Sequence, residues 1–464
     1  MSEPASDMLD VHDKFTGERL ERLPVAGAAE IDAAVRRART AFAEWGRAPA
    51  HRRARVLLDA ARLIDGRRDE LTTTIARESG KAWKHAANEV ARSVETFTFA
   101  GEEAKRIHGE TVPMDASTFG ENRLGFYLRT PLGVVAAITP FNFPLNLVAH
   151  KVGPALAAGN TVVLKPAEET PLTAVALAAL LKEAGLPDGA LELVHGDGPT
   201  TGAALVRHPG PAKVSFTGSP PVGKRILEIG GLKRVTLELG NNSGTIVEPD
   251  ADLDAAVPRT VMSAFANAGQ VCLSVQRLYV HEAIADEFLE RFVAATRALR
   301  VGNPLDRDCD IGPMISDQAA DRAEAWIADA IAEGAERLTG GRREGRLLWP
   351  TVLTRTRPEM KVMCREAFAP LVSIVAYRTF EEALQLLGDT PYGLQAGVYT
   401  QDVRKAFAAV RALDVGGIMI NDTSIFRVDH MPYGGNRMSG IGREGVRFAV
   451  EEMTNLRLVC FNLG

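Results

Sequence analysis

The stretch 161-TVVLKPAEETPLTAVALAALLKEAG-185 decides the fold, because it reads as one strand, one turn and one helix. Residues 161–165 form a short apolar run closed by a lysine, the pattern of a strand buried on both faces. Thr170 stands where an N-cap is wanted, Pro171 at the first turn and Gly185 at the stop of a helix over 172–184. Further strand-like runs at 134–138, 191–194, 213–216 and 234–239 alternate with helical segments. Such alternation predicts a parallel sheet with helices on both faces. Open sheets of this kind place ligands beyond the carboxyl ends of their strands.

A dinucleotide site is expected there, although no GxGxxG succeeds the first of these strands. Phe216 leads instead into TGSPPVG, with Gly218 and Gly223 opening a helix. The free N–H groups and dipole of such a helix start favour an anion, while a plain turn explains the string equally well. After Gly240 a second α/β segment begins, with strands expected near 245–247, 275–280, 371–376 and 417–420.

Before the alternating region, Ile31, Val35, Ala38, Phe42 and Trp45 make a helical stripe, and Ala- and Arg-rich helices continue to about Arg106. From 111 to 129 the pattern becomes short and strand-like, and the end, TNLRLVC at 454–460, reads as an edge strand that needs a partner. The 464 residues exceed one ordinary core, so two domains are expected. With 46% hydrophobic and 24% charged residues the chain is neither disordered nor fibrous. A net charge of −5 with dispersed Lys and Arg gives no footprint for nucleic acid or acidic membranes. The start, MSEPASDMLD, lacks the apolar core of a secretory signal. The longest uncharged run, 132–149, carries two prolines and two asparagines that lipid would not satisfy. Four scattered cysteines without CxxC imply neither a disulfide framework nor a metal site, and a reduced cytoplasmic location fits them.

Of those cysteines, Cys272 lies in the polar turn ANAGQVCLSVQR at 266–277, between a helix-like and a strand-like segment. Most free cysteines are buried and inert, but a thiol in such a turn can meet a substrate. A thiolate that attacks carbonyl carbon leaves a covalent adduct, so a base and an anion-stabilising donor are needed elsewhere. Glu238, ending RVTLELG, and Asn142, in PFNFP, stand at the ends of strand-like runs.

Taken in order, TPFNFP (139–144), KPAEETP (165–171), SFTGS (215–219), LELG (237–240), GQVC (269–272), EAF (366–368), PYGG (432–435) and SGIGREG (439–445) resemble the aldehyde dehydrogenase superfamily over some three hundred residues. The separation of Glu238 from Cys272 resembles it too. The resemblance implies a Rossmann-like NAD-binding domain over 1–240, interrupted by an arm hairpin at about 111–131. It further implies an α/β catalytic domain over 241–450 and an oligomerisation strand over 451–464, giving a homodimer or homotetramer. Its catalytic group would be Cys272 as nucleophile, Asn142 at the oxyanion and Glu238 as base, with Lys151 and Glu444 as a proton-relay pair. Its cofactor group would be Thr139, Pro140, Phe141, Lys165, Glu168, Gly218, Ser219, Gly240, Glu366 and Phe368. A carboxylate at Glu168 would repel a 2′-phosphate, so NAD is favoured, with NADP possible. No metal is implied. Asn241 departs from the family, which usually has a second glycine there, and a side chain at that position could reorient Glu238 or the nicotinamide.

By register with PFNFP, Asn146 and His150 fall where members acting on hydrophobic aldehydes carry apolar groups, which points to a polar pocket. INDTSIFRVDHMPYGG at 420–435 adds Arg427 and His430 near the mouth and resembles the lactaldehyde and non-phosphorylating glyceraldehyde-phosphate dehydrogenase branch. A guanidinium grips a carboxylate or phosphate at two points; Arg427 as a loop-stabilising or inter-subunit residue is an equal reading. The function expected is NAD-dependent oxidation of a small polar, hydroxylated or anionic aldehyde to its carboxylate through a cysteine thioester. The alternatives are a semialdehyde dehydrogenase of the succinate-semialdehyde type and a catalytically silent family member.

Overall fold

The computed structural model describes residues 8–464, so the first seven residues of the N-terminal stretch lie outside it. Two sheets carry the fold. The first has six strands in the order Gly440–Ile441, Arg234–Glu238, Lys213–Thr217, Val134–Ile138, Thr161–Lys165 and Leu191–Leu193. All pairs are parallel except that of Gly440–Ile441 with Arg234–Glu238. Val134–Ile138 and Thr161–Lys165 are buried along their whole length, as their unbroken apolar runs require. The chain runs from Val134–Ile138 outward to one side and then returns to Lys213–Thr217 on the other. The strand order therefore reverses beyond Ile138 and Thr217, where such sheets open a crevice.

The second sheet runs Glu336–Thr339, Thr351–Thr354, Leu371–Tyr377, Arg277–His281, Gly244–Val247, Gln395–Tyr399 and Gly417–Ile420, parallel except at its first pair. Glu238 ends a strand of the first sheet and Gly244 begins one of the second. The carboxyl edge of one sheet thus meets the amino edge of the other. Cys272 lies at this meeting, in the turn between helix Leu253–Phe265 and strand Arg277–His281. Strand Gly440–Ile441 comes from far along the chain to pair with Arg234–Glu238, so the segment expected to be wholly catalytic also contributes to the first sheet.

Helix Leu172–Glu183 forms where expected, but its cap differs. Thr170 Oγ1 has no partner, and Glu78 takes the N–H groups of Leu172 (2.7 Å) and Thr173 (2.9 Å) instead. A carboxylate at a helix start answers both the free donors and the dipole. Nothing near residue 170 announces a partner so distant in sequence. Strands Thr111–Val112, Arg123–Pro131 and Thr454–Asn462 form a separate three-stranded antiparallel sheet, with Cys460 opposite Gly125. No helix among the described residues is long and apolar enough to cross a membrane.

Candidate active site

The turn that presents Cys272 is bent by three successive left-handed residues, Asn267 (φ 52°), Ala268 (φ 55°) and Gly269 (φ 67°). Such backbone costs about 1–2 kcal/mol at each non-glycine position and persists only where neighbours hold it. Gly269 admits no side chain, since a Cβ would lie 2.0 Å from the Ala369 carbonyl oxygen. Side-chain amides supply the rest of the hold: Asn267 Nδ2 donates to the carbonyls of Asn142 (3.4 Å) and Gln270 (3.3 Å). Gln270 Nε2 donates to Asn267 O (3.2 Å), while its Oε1 accepts from Ile315 N (2.9 Å). Cys272 Sγ emerges 3.1 Å from the Tyr433 hydroxyl. Burial pushes this thiol up to about 11, against the Tyr433 hydrogen bond and the Arg427 charge, which pull it down.

Asn142 is 3% exposed and donates from Nδ2 to Gln270 O at 3.0 Å, which leaves the second amide hydrogen free. Glu238 is equally buried, and neither carboxyl oxygen has a partner. Burial first, and the neighbouring Glu444 carboxylate second, drive its pKa well above the ordinary value, which favours the protonated form. Glu444 differs because Lys151 Nζ donates to it at 2.8 Å and Arg427 Nη2 at 3.3 Å. Burial opposes its charge, but the cations, Lys151 foremost, outweigh it and hold the carboxyl at about 2. Two neighbouring carboxyls are therefore displaced in opposite directions, Glu238 up and Glu444 down. The Asn241 side chain donates from Nδ2 to Ser243 Oγ at 2.5 Å, while its backbone N–H donates to Glu366 Oε1 at 2.9 Å.

A cavity of about 580 Å³ opens on one side of Cys272, lined among others by Phe141, Asn142, Gly218, Ser219, Glu366 and Phe368. It also takes in Pro140, Gly240, Thr217, Glu169 and Gln270. Thr217 Oγ1 and Asn142 Oδ1 are buried here without partners, and a Cβ on Gly240 would meet Glu366 Oε2 at 2.3 Å. Phe368, held at φ 49°, meets Phe141 edge to face at 5.9 Å. Glu366 rises to about 7 through burial, with the Asn241 N–H opposing. A long cleft with orphaned acceptors, glycine-floored and bounded by the start of helix Pro220–Ile229, fits a dinucleotide. Pro220 and Pro221 remove two donors from that helix start, so Ser219 and Val222 carry its anion-binding capacity. Neither Lys165 nor Glu168 lines this cavity, although Glu169 does; Lys165 Nζ donates to Pro166 O (3.0 Å), Gly196 O (2.8 Å) and Glu168 Oε2 (3.2 Å). Thr139 Oγ1 is buried and unpartnered behind the wall.

A second, smaller cavity of about 190 Å³ lies past Val271 and Phe143, lined by Lys81, His85, Arg92, Arg259 and Arg427 with no carboxylate among its described walls. Of the three residues expected to meet substrate, only Arg427 lines it. Asn146 is buried, giving Nδ2 to Asp429 (3.0 Å) and accepting from Thr96 Oγ1 (2.8 Å). His150 Nε2 bonds Asp429 at 2.7 Å. Arg92 grips the same carboxylate with two nitrogens, at 2.6 and 3.1 Å. Asn146 and His150 thus act on the wall through Asp429, which the sequence offered no reason to single out. His430 packs on Phe99, ring centroids 4.8 Å apart. Tyr433, Gln270, Thr217 and Glu169 join the site unannounced, although Tyr433 sits inside the PYGG motif.

A strained cysteine turn set between a nucleotide-type cleft and a separate cationic pocket is the arrangement of an oxidoreductase site. The chain matches the model of the aldehyde dehydrogenase family over residues 1–459, and it belongs to that family. It is 46% identical over 461 residues to the 3-sulfolactaldehyde dehydrogenase of Priestia aryabhattai, covering 99% of this chain and 96% of that one. It is 39% identical over 456 residues to the lactaldehyde dehydrogenase of Methanocaldococcus jannaschii, covering 97% and 96%. Among solved structures it is similar to the glyceraldehyde-3-phosphate dehydrogenase GapN of M. jannaschii complexed with NADP, with TM-score 0.95, 38% identity and coverage of 99% and 100%.

Proposed function

We propose that this aldehyde dehydrogenase oxidises a small aldehyde carrying an anionic group, with NAD as its preferred acceptor. The observation that carries the reading is the second cavity, whose walls hold Lys81, Arg92, Arg259 and Arg427 and no carboxylate. Each cation is paired from outside the wall, Lys81 with Glu89, Arg92 with Asp429, Arg259 with Asp422 and Arg427 with Glu444, so the cavity offers cationic donor groups without an acceptor carboxylate, a lining that favours an anionic substituent over a cationic one. His85 adds no charge there, since burial holds its pKa down to about 4. The similarity to an enzyme of 3-sulfolactaldehyde supports the same class, and a semialdehyde ending in a carboxylate falls within it.

In this reading the Cys272 thiolate adds to the aldehyde carbon: the S–C bond forms and the carbonyl π pair moves to oxygen. The free Asn142 amide hydrogen and the Cys272 N–H hold that oxyanion. When bound, a nicotinamide dinucleotide supplies the hydride acceptor that turns the adduct into a thioester. Glu238 then takes a proton from the water that releases the carboxylate, and Lys151 with Glu444 carries protons outward. Lys165 and Glu168 would hold the adenosine ribose, Gly218 and Ser219 the pyrophosphate, and Thr139, Pro140, Phe141, Gly240, Glu366 and Phe368 the nicotinamide end. The carboxylates of Glu168 and Glu169 favour an unphosphorylated ribose.

Arg427→Leu tests the anion reading, because Arg427 is nearly fully buried and its Nε has no partner. Assayed on sulfolactaldehyde or succinate semialdehyde beside lactaldehyde, each with NAD and NADP, the variant should lose at least about tenfold of the anionic-over-neutral ratio in kcat/KM. Equal losses on both would sink the reading.

We also propose a homo-oligomer formed through the three-stranded arm. By register, Leu456 and Leu458 stand exposed on one face of the arm and Phe461, Leu124 and Leu128 on the other, apolar surface that a monomer rarely leaves open. Light scattering should report a dimer or tetramer for the full chain and a smaller species for Leu456→Glu/Leu458→Glu. A full-length monomer would end this proposal.

A further inference from the structure

Tyr433 belongs to neither cavity wall, yet its hydroxyl is the one side-chain group bonded to Cys272 Sγ among the described residues, at 3.1 Å. The phenol is held from every side. Its backbone pairs with that of Glu444, Tyr433 N to Glu444 O at 3.0 Å and Glu444 N to Tyr433 O at 2.6 Å. Its ring packs with Val271, Leu273 and Leu394, and the Arg427 guanidinium lies over its face, 3.5 Å from the centroid. A cation on the ring face both fixes the ring and draws electron density from it, which strengthens the O–H as a donor. Such rigid placement beside a reacting atom is what electrostatic pre-organisation requires.

We infer that Tyr433 is a further catalytic residue, donating its O–H to the Cys272 thiolate and holding the sulfur ready to attack, with Arg427 as the positioning residue above its ring. The step it serves begins with ionisation of the S–H, whose proton passes to solvent. Attack then forms the S–C bond, the carbonyl π pair moves to oxygen, and the Tyr433 hydrogen bond to sulfur is given up as the charge leaves it.

The charged and titratable groups facing the sulfur are Tyr433, Arg427, Glu366 and Glu238. Burial raises the thiol, Glu366 and Glu238 raise it further when ionised, and the Tyr433 hydrogen bond is the largest influence in the other direction, ahead of Arg427. Facing the phenol are Cys272, Arg427 and Glu238, and burial pushes its pKa well above the ordinary phenol value. Tyr433 therefore stays protonated through the working range and remains a donor.

The inference rests on Cys272 being the nucleophile, and its test reads the thiol without turnover, so the two can fail separately. Alkylation of NAD-free enzyme by iodoacetamide is followed from about pH 6.5 to about pH 10.5, a span on either side of an ordinary thiol, with modification at Cys272 quantified by peptide mass because Cys364 and Cys460 are also exposed. Tyr433→Phe should alkylate about tenfold more slowly near neutral pH, as loss of a hydrogen bond to a charged atom implies, with NAD affinity unchanged. Replacement of Tyr433 by 3-fluorotyrosine, a stronger donor of the same shape, should alkylate faster than the parent. Superimposed profiles for parent and Tyr433→Phe would overturn the inference. So would a fluorotyrosine enzyme no faster than the parent, which decides the matter even if Tyr433→Phe fails to fold.

Discussion

Cys272→Ala should fold, bind NAD with parental affinity and form NADH at no more than about 10⁻⁴ of the parental rate, because removing a nucleophile removes the covalent route altogether. The reason lies in how the site is built. The turn at 267–269 keeps its left-handed backbone through Asn267, Gln270 and the Ala369 contact, none of which involves the sulfur. Truncating the thiol leaves that frame and the adjacent cleft intact, so a loss of activity reads chemistry and not architecture. The cavity left is small, and the stability cost should stay near about 1 kcal/mol. Absorbance of NADH with lactaldehyde and an anionic aldehyde, beside NAD binding by fluorescence, makes the measurement. Parental turnover in this variant would remove Cys272 from the mechanism and would send the search to another residue of the cleft.

How much the chain discloses in advance depends on how far each interaction reaches along it. The buried strands at 134–138 and 161–165 are legible because an unbroken apolar run is a local signal, and both form with those bounds. The strand expected over 275–280 begins instead at Arg277, since the N–H groups of Gln276 and Arg277 both go to Ser243 O, a partner on another segment. The cap of Leu172–Glu183 is misplaced for the same reason, Glu78 being supplied by a different helix. In the site, Cys272, Asn142 and Glu238 stand out as polar or reactive groups at strand ends. Asp429 does not, although it ties Arg92, Asn146 and His150 together, because one aspartate in a loop carries no local mark of its partners. Asn146 and His150 are accordingly expected in contact with substrate, whereas both are buried, bonded to Asp429, and absent from the lining of either cavity beside Cys272. Asn241 illustrates the converse: a side chain that threatens the neighbouring glutamate is bonded to Ser243, two residues on.

Glu238→Gln should separate the two halves of the reaction. Glutamine fills the same space, and an unpartnered buried carboxyl with its pKa displaced upward is replaced by a neutral amide at little structural cost. Thiol attack and oxidation do not require this base, so the first turnover should proceed, giving a burst of at most one NADH per subunit. Steady-state turnover should then fall by about 10²- to 10⁴-fold, the ordinary contribution of a positioned base. Mass spectrometry of quenched enzyme should find the acyl group on Cys272, and hydroxylamine, which attacks a thioester without a base, should restore release. The pH dependence is set by the direction in which the carboxyl is displaced. Burial and the Glu444 carboxylate raise the Glu238 pKa, so below that pKa the group is neutral and idle, and as pH rises through it the carboxylate forms and deacylation accelerates. Parental steady-state rate should therefore climb with pH through a limb displaced above the ordinary carboxylate range, while the Gln variant should lack that limb. Lys151→Met, which strips Glu444 of its principal cation and removes one of the charges that lower the Glu238 pKa, should move the same limb: Glu444, still bonded to Arg427, repels the Glu238 carboxylate with less compensation, and the rise moves to higher pH. A Glu238→Gln enzyme with parental steady turnover and no acyl adduct would assign deacylation to another group, and Glu366, buried at the cleft with its pKa raised to about 7, would be the next to replace.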